Sequence, residues 1–238
     1  MVVEMFPLHL RDVSVRRHGK TILGPVTHQI GGSGLTVVMG PNGSGKTTLL
    51  RAIHGVERLS TGQINWAIPA AQARDLQAYV FQQPIMLRRS VADNLRYPLM
   101  LAKRPTGEID DLVTQWLARI ALSDAKSMQA TRLSGGERQK LALARALISD
   151  PAVLFLDEPC ANLDGRATKE IETLLTQTLD RGTRIMMATH DIGQARRLAT
   201  DVLFMLGGVV HETGVAPDIF ATPQTAALQA FLRGDIVE

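Results

Sequence analysis

The 238-residue chain sets 26 Lys and Arg against 23 Asp and Glu, and a formal charge of +3 is too small and too scattered to argue for nucleic acid. Its residues are 45% hydrophobic but only 4% aromatic, which fits an aliphatic α/β interior, and the length suffices for one large domain or two intimate lobes. A single cysteine, Cys160, excludes an internal disulfide and any multi-cysteine metal site, and no apolar run approaches the roughly 18 residues of a membrane-spanning helix.

In chain order, the opening "MVVEMFPLHLRD" has Glu4 where a signal peptide would begin basic, so the chain reads as soluble and not exported, in a reducing cytoplasm. Residues 8–30 alternate as a hairpin turning at Gly19, with Arg16 and Arg17 a solvated strand end. After "GGSG" comes the buried strand "LTVVM" (35–39), then a glycine-rich loop and the helix "KTTLLRAIHGV". "QAYVFQ" (77–82) reads as a further strand. From about 84 to 148 the pattern is mainly helical, with breaks expected at Pro98, Pro105 and the serines near 123–127. "AVLFLD" (152–157) and "RIMMAT" (184–189) are short apolar strands of the kind covered on both faces in parallel sheets. The helix "TKEIETLLTQTLD" between them makes a β-α-β unit. "DVLFML" and "VVHET", separated by Gly207-Gly208, form a second hairpin. With no internal repeat or long linker, residues 1–238 read as one catalytic unit carrying a helical insertion.

Three strand ends carry chemistry. "GPNGSGKTT" fits the phosphate-loop pattern G-x-x-x-x-G-K-[ST], between a strand and a helix. In the nucleotide-binding loop of Gly40, Pro41, Asn42, Gly43, Ser44 and Gly45, the glycines let backbone N–H groups wrap phosphates at a helix N-terminus. Lys46 reaches the β- and γ-phosphates, Thr47 offers its hydroxyl to Mg²⁺, and Thr48 completes the loop. "AVLFLDEP" ends a strand in Asp157, at the sheet edge where open α/β folds bind ligands, so that Asp157 holds Mg²⁺ through water and Glu158 lies toward the γ-phosphate. "RIMMATHD" repeats the arrangement with His190, ahead of an Asp191–Gln194 helix cap.

"RLSGGERQKLALARAL", beginning at Arg132, is a helix opened by a Ser134–Glu137 capping box. Gly135 and Gly136 then occupy its first turn, where glycine is a poor helix former. Bare glycines at the positive end of a helix dipole suit a close-approaching anion.

In order, the chain shows "GPNGSGKTT", Gln82 in "YVFQQP", "LSGGERQK", "VLFLDEP", "ANLD" and "ATHD". With these it resembles the ATP-binding cassette family over nearly its whole length. The resemblance implies a P-loop NTPase (RecA-like) α/β core with an N-terminal antiparallel β subdomain and a helical subdomain inserted at about 84–148. It implies ATP and Mg²⁺ as cofactors and a homodimer in which Ser134, Gly135, Gly136 and Glu137 face the γ-phosphate held by the other copy. By the same likeness Glu158 is the general base, His190 grips the γ-phosphate, Gln82 contacts Mg²⁺ alongside Thr47 and Asp157, and Asp164 communicates across the dimer. His18 stands where the family places an adenine-stacking aromatic, and Cys160, Ala161 and Asn162 replace the commoner Thr-Ser-Ala.

The function implied is the ATPase subunit of an importer, peripheral on the cytoplasmic face of the inner membrane. Its partners would be separate permease subunits and, through them, a periplasmic or surface binding protein. Pro84 to Leu87 would present an apolar surface to a permease helix. The wording "MLRRSVADNLRYPL" and "EPCANLDGRA" looks most like oxyanion importers, tungstate-type first and phosphate next. An exporter or lipoprotein-release ATPase, or a soluble single-cassette ATPase, is the alternative.

Overall fold

The computed structural model describes residues 5–237; Glu4, and the expectation resting on it, lie outside the described residues. The first hairpin forms as its alternation predicts, from β1 (Leu8–Arg17) and β2 (Lys20–Ile30). His18 and Gly19 turn it with φ of 47° and 79°, the pair of positive values that matches hairpin twist. A third strand, β4 (Thr61–Asn65), joins the other edge of β1, giving the antiparallel order β2-β1-β4. β4 was not foreseen: "TGQIN" has no buried residue and hence no apolar alternation to announce it.

The main sheet has six strands in the order β5-β6-β7-β3-β8-β9. These are β3 (Leu35–Met39), β5 (Gln77–Val80), β6 (Val153–Asp157), β7 (Arg184–Thr189), β8 (Asp201–Leu206) and β9 (Val209–Val215). All are parallel except β9, which returns from β8 through the Gly207-Gly208 turn. Alternating residues of the apolar strands serve two cores. Val38, Phe155, Met186 and Ala188 face helix α1 (Lys46–His54) and the antiparallel sheet; Val37, Met39, Leu154, Leu156 and Met187 face the helices that follow β5.

Between β4 and β5 lies α2 (Ala70–Asp75). The stretch between β5 and β6 carries α3 (Val91–Leu101), α4 (Thr106–Arg119), a 3₁₀ turn (Ala130–Arg132) and α5 (Gly135–Leu147). Two expectations change here. Residues 84–90 form a loop ending in a bridge rather than a helix. Pro98 does not break α3, although its ring removes one backbone bond. Leu95 and Leu99, 0% and 1% exposed, hold the turn against the core, and the amide of Ala102 still bonds to Pro98 O at 3.0 Å. Pro105 does interrupt, as the residue preceding α4. After β6, α6 (Gly165–Asp180) leads back to the adjacent parallel strand β7, as the β-α-β pattern requires. α7 (Ile192–Leu198), α8 (Ala216–Ala221) and α9 (Ala226–Arg233) complete the chain.

Register brings the chemistry together. Met39, the last residue of β3, pairs with Thr189 of β7, and Asp157 of β6 pairs with Ala188. The phosphate loop, the Asp157-Glu158 corner and His190 therefore leave three neighbouring strands at one level.

Candidate nucleotide site

Gly45 precedes α1 with φ 99°, a left-handed conformation that favours glycine. Lys46 is only 5% exposed and donates from Nζ to the carbonyls of Gly40 (2.9 Å) and Pro41 (3.0 Å). An ammonium has three donors, which leaves one for a ligand. Burial holds this ammonium below its ordinary pKa, with Glu158 and Asp157 opposing. Thr47 Oγ1 donates to Asp157 Oδ1 at 2.7 Å. Asp157 is 1% exposed, and burial raises its pKa against the hydrogen bond from Thr47 and the charge of Arg51.

A cavity of about 690 Å³ opens above these groups. Asn42, Gly43, Gly45, Lys46, Thr47 and Thr48 line one side, and Gln82, Glu158 and His190 line the other. Gly40 and Pro41 instead serve Lys46, Ser44 Oγ is buried beneath without a hydrogen-bond partner, and Asp157 lies behind Thr47. His18 is exposed at the hairpin turn and is not among the lining residues, whereas Ile22 of β2 is. The donors fit a polyphosphate with a divalent cation: loop amides, a spare ammonium hydrogen and an orphaned hydroxyl for phosphate, then a hydroxyl–carboxylate pair of oxygens for the metal.

Glu158 holds φ at 48°, uncommon for a residue with a side chain, and its amide is tied to Ala188 O at 2.9 Å. Its carboxylate, 12% exposed, meets His190 Nδ1 at 3.0 Å, while the imidazole is 55% exposed at the cavity rim. A neutral imidazole protonated on Nδ1 donates in that geometry. Cys160, half-buried beside the cavity, has its thiol pushed up to about 11 by burial, as befits an inert neighbour. Asp191 caps α7 through Gln194 N at 2.9 Å, as expected.

The glycine-bearing helix starts as read. The Ser134 hydroxyl accepts from Glu137 N at 3.4 Å, and Glu137 Oε2 accepts from Ser134 N and Oγ at 2.8 and 2.7 Å. These bonds hold the Glu137 carboxyl below its ordinary pKa. The two glycines differ. A Cβ at Gly135 would meet open space, but one at Gly136 would stand 3.0 Å from Ala167 Cβ of α6. Close helix packing, which the sequence did not disclose, thus accounts for Gly136 in part. Ser134 to Glu137 border a separate cavity of about 490 Å³. Asn162 lines both cavities, while Asp164 borders the second and caps α6 through Ala167 N at 2.7 Å.

A third, apolar groove of about 190 Å³ includes Tyr79, Phe81, Pro84, Ile85, Ala142 and Ala146. Ile85 is 73% exposed, but Leu87 is not in the groove lining: its amide is bonded to Asn94 Oδ1 at 3.0 Å.

Residues 23–161 match the family described as ABC transporter. The chain belongs to the ABC transporter family. It is one of that family's ATP-hydrolysing cassettes. Among similar proteins is a sulfate/thiosulfate import ATP-binding protein of Agrobacterium fabrum, 37% identical over 88% of this chain. The match spans 64% of that relative's own length. A phosphate import ATP-binding protein of Natronomonas pharaonis is 34% identical over 97% of this chain and 87% of its own. The tungstate uptake ATP-binding protein TupC of Peptoclostridium acidaminophilum is 36% identical over 82% and 92%. A methionine import ATP-binding protein of Cereibacter sphaeroides stands at 34% over 84% of this chain and 60% of its own length. Among solved structures, cbiO1 of Clostridium perfringens, part of the transporter complex cbiONQ, superposes with a TM-score of 0.82. It is 28% identical, and the match covers 97% of this chain and 96% of that one. No helix of the cassette's described residues is long and apolar enough to cross a membrane.

Proposed function

We propose that this cassette is the ATPase subunit of an oxyanion importer, acting as a homodimer on separate permease subunits at the cytoplasmic face of the membrane. The carrying observation is the meeting of phosphate loop, Asp157 and the Glu158–His190 pair at one sheet edge. The loop amides and Lys46 bind the phosphates; Thr47, Asp157 and Gln82 would hold Mg²⁺. The chemistry supplied there would be charge neutralisation on the phosphates. Glu158 orients the attacking water and takes its proton, and His190 steadies that carboxylate and reaches the γ-phosphate. In phosphoryl transfer such placement matters more than base strength. Ser134, Gly135, Gly136 and Glu137 complete the partner copy's site, with Asp164 at the dimer seam. His18, at the turn of the hairpin that brings Ile22 to the cavity, makes the adenine contact. The apolar groove at Ile85 receives a helix of the permease, and a binding protein delivers cargo to that permease.

Support for an oxyanion comes from the relatives named for sulfate, phosphate and tungstate. The methionine relative makes the assay decisive. In the reconstituted transporter, a binding protein loaded with tungstate or molybdate should stimulate ATP hydrolysis. Stimulation by an amino acid with none by oxyanions would overturn the cargo assignment. Absence of hydrolysis in the full complex would overturn the enzymatic one.

A further inference from the structure

The two carboxylate oxygens of Asp157 are held unequally. Oδ1 accepts a 2.7 Å bond from Thr47, whereas Oδ2 has only the Tyr79 hydroxyl at 3.5 Å and the Arg51 guanidinium at 3.9 Å. An O–H···O bond is well made at about 2.7–2.8 Å, so a ring shift of about 0.7 Å decides whether the Oδ2 bond forms.

Tyr79 sits on β5 opposite Phe155, two residues before Asp157. Its other side belongs to the apolar groove with Phe81, Ile85 and Ala146. The Tyr79 and Phe81 rings lie 4.6 Å apart, and the Arg51 guanidinium sits 5.7 Å above the Phe81 ring. Arg51 Nε is buried with no hydrogen-bond partner. Tyr79 and Arg51 therefore touch both the groove wall and the carboxylate behind the nucleotide cavity.

We infer that Tyr79, backed by Arg51, is a positioning residue that links occupancy of the groove to the orientation of the Asp157 carboxylate. The permease helix proposed above, seated in the groove, presses the Phe81–Tyr79 pair inward and closes the bond to Oδ2; an empty groove leaves it long. This route runs through the sheet, independently of Gln82 at the cavity. It rests on the proposed roles of Asp157 as a metal ligand and of the groove as the permease contact, and on no assumption about cargo.

The test measures Mn²⁺ binding with ATP present on a Glu158→Gln background, where turnover does not intrude. Tyr79→Phe keeps the ring and removes only the hydroxyl. Mn²⁺ affinity should fall about tenfold, the scale of partners that orient metal ligands, while metal-free ATP binding stays constant. Unchanged Mn²⁺ affinity overturns the positioning role. Ala146→Phe, or Ala146→Leu should the larger ring prevent folding, fills the groove and should shift Mn²⁺ affinity only while Tyr79 is present. Equal shifts with and without Tyr79→Phe overturn the link to the groove. Asp157→Ala run alongside separates the two readings: full Mn²⁺ affinity there overturns the metal role itself, and this inference with it.

Discussion

Asp157 combines a task that needs negative charge with a position that disfavours it. Burial raises its carboxyl pKa, with Thr47 and Arg51 compensating in part. The folded state therefore holds the proton more tightly than the unfolded chain, whose Asp titrates near about 3.9. The resulting stabilisation is complete below that value and is lost as pH rises through the folded pKa. At neutral pH the apo protein carries the full cost of a buried carboxylate. Asp157→Asn should then melt higher than the parent at pH 7.5, by about 2–4 °C for each kcal/mol relieved. The gap should close as pH falls toward the unfolded value, and ATP hydrolysis should collapse at every pH. A lower melting temperature for the variant at pH 7.5 would show that the hydrogen bond from Thr47 outweighs burial. The presence of Asp157 at a strand end was legible in "AVLFLD", because five apolar residues before an acid leave little other reading. The left-handed backbone of Glu158 was not, since nothing in the residue type announces a φ of 48°; the bond from its amide to Ala188 O belongs to the neighbouring strand.

At the scale of elements, the start of α5 separates two meanings of one residue type. Gly135 faces open space, so alanine there should stabilise the helix by up to about 1 kcal/mol. Gly136 is confined by Ala167, so alanine should gain nothing or destabilise, and Ala167→Gly should restore it. Thermal melts of Gly135→Ala, Gly136→Ala and the Gly136→Ala/Ala167→Gly pair check this ordering. Equal melts for the two single variants would remove the packing argument. If Gly135 serves an approaching anion, its alanine variant should lose ATPase activity while gaining stability. Periodicity made most elements readable: the two hairpins, the covered strands and the capping box all follow local rules. What escaped was set by tertiary contact. β4 is held by pairing with β1 rather than by its own pattern, and α3 runs through Pro98 because Leu95 and Leu99 are buried on either side.

Across the whole molecule, the phosphate loop and the glycine-bearing helix border different cavities, and only Asn162 is common to both linings. A single chain therefore brings no Ser134 or Gly136 to its own phosphate cavity. If the proposed dimer supplies them from a second copy, ATP should act as the bond between chains. Glu158→Gln keeps the side-chain shape but cannot take the proton from water, so hydrolysis should fall by about 10²–10⁴-fold. ATP binding should persist, because Lys46, Thr47 and Asp157 are untouched, and unhydrolysed nucleotide should hold the pair together. Gel filtration of this variant should give a dimer with ATP and mostly monomer without. Ser134→Arg added to it destroys the capping hydroxyl and places bulk at the helix end. The double variant should remain monomeric in ATP while still binding nucleotide on each chain. A double variant that dimerises as well as its parent would leave "LSGGE" a capped helix packed on α6 and would place the dimer contact elsewhere.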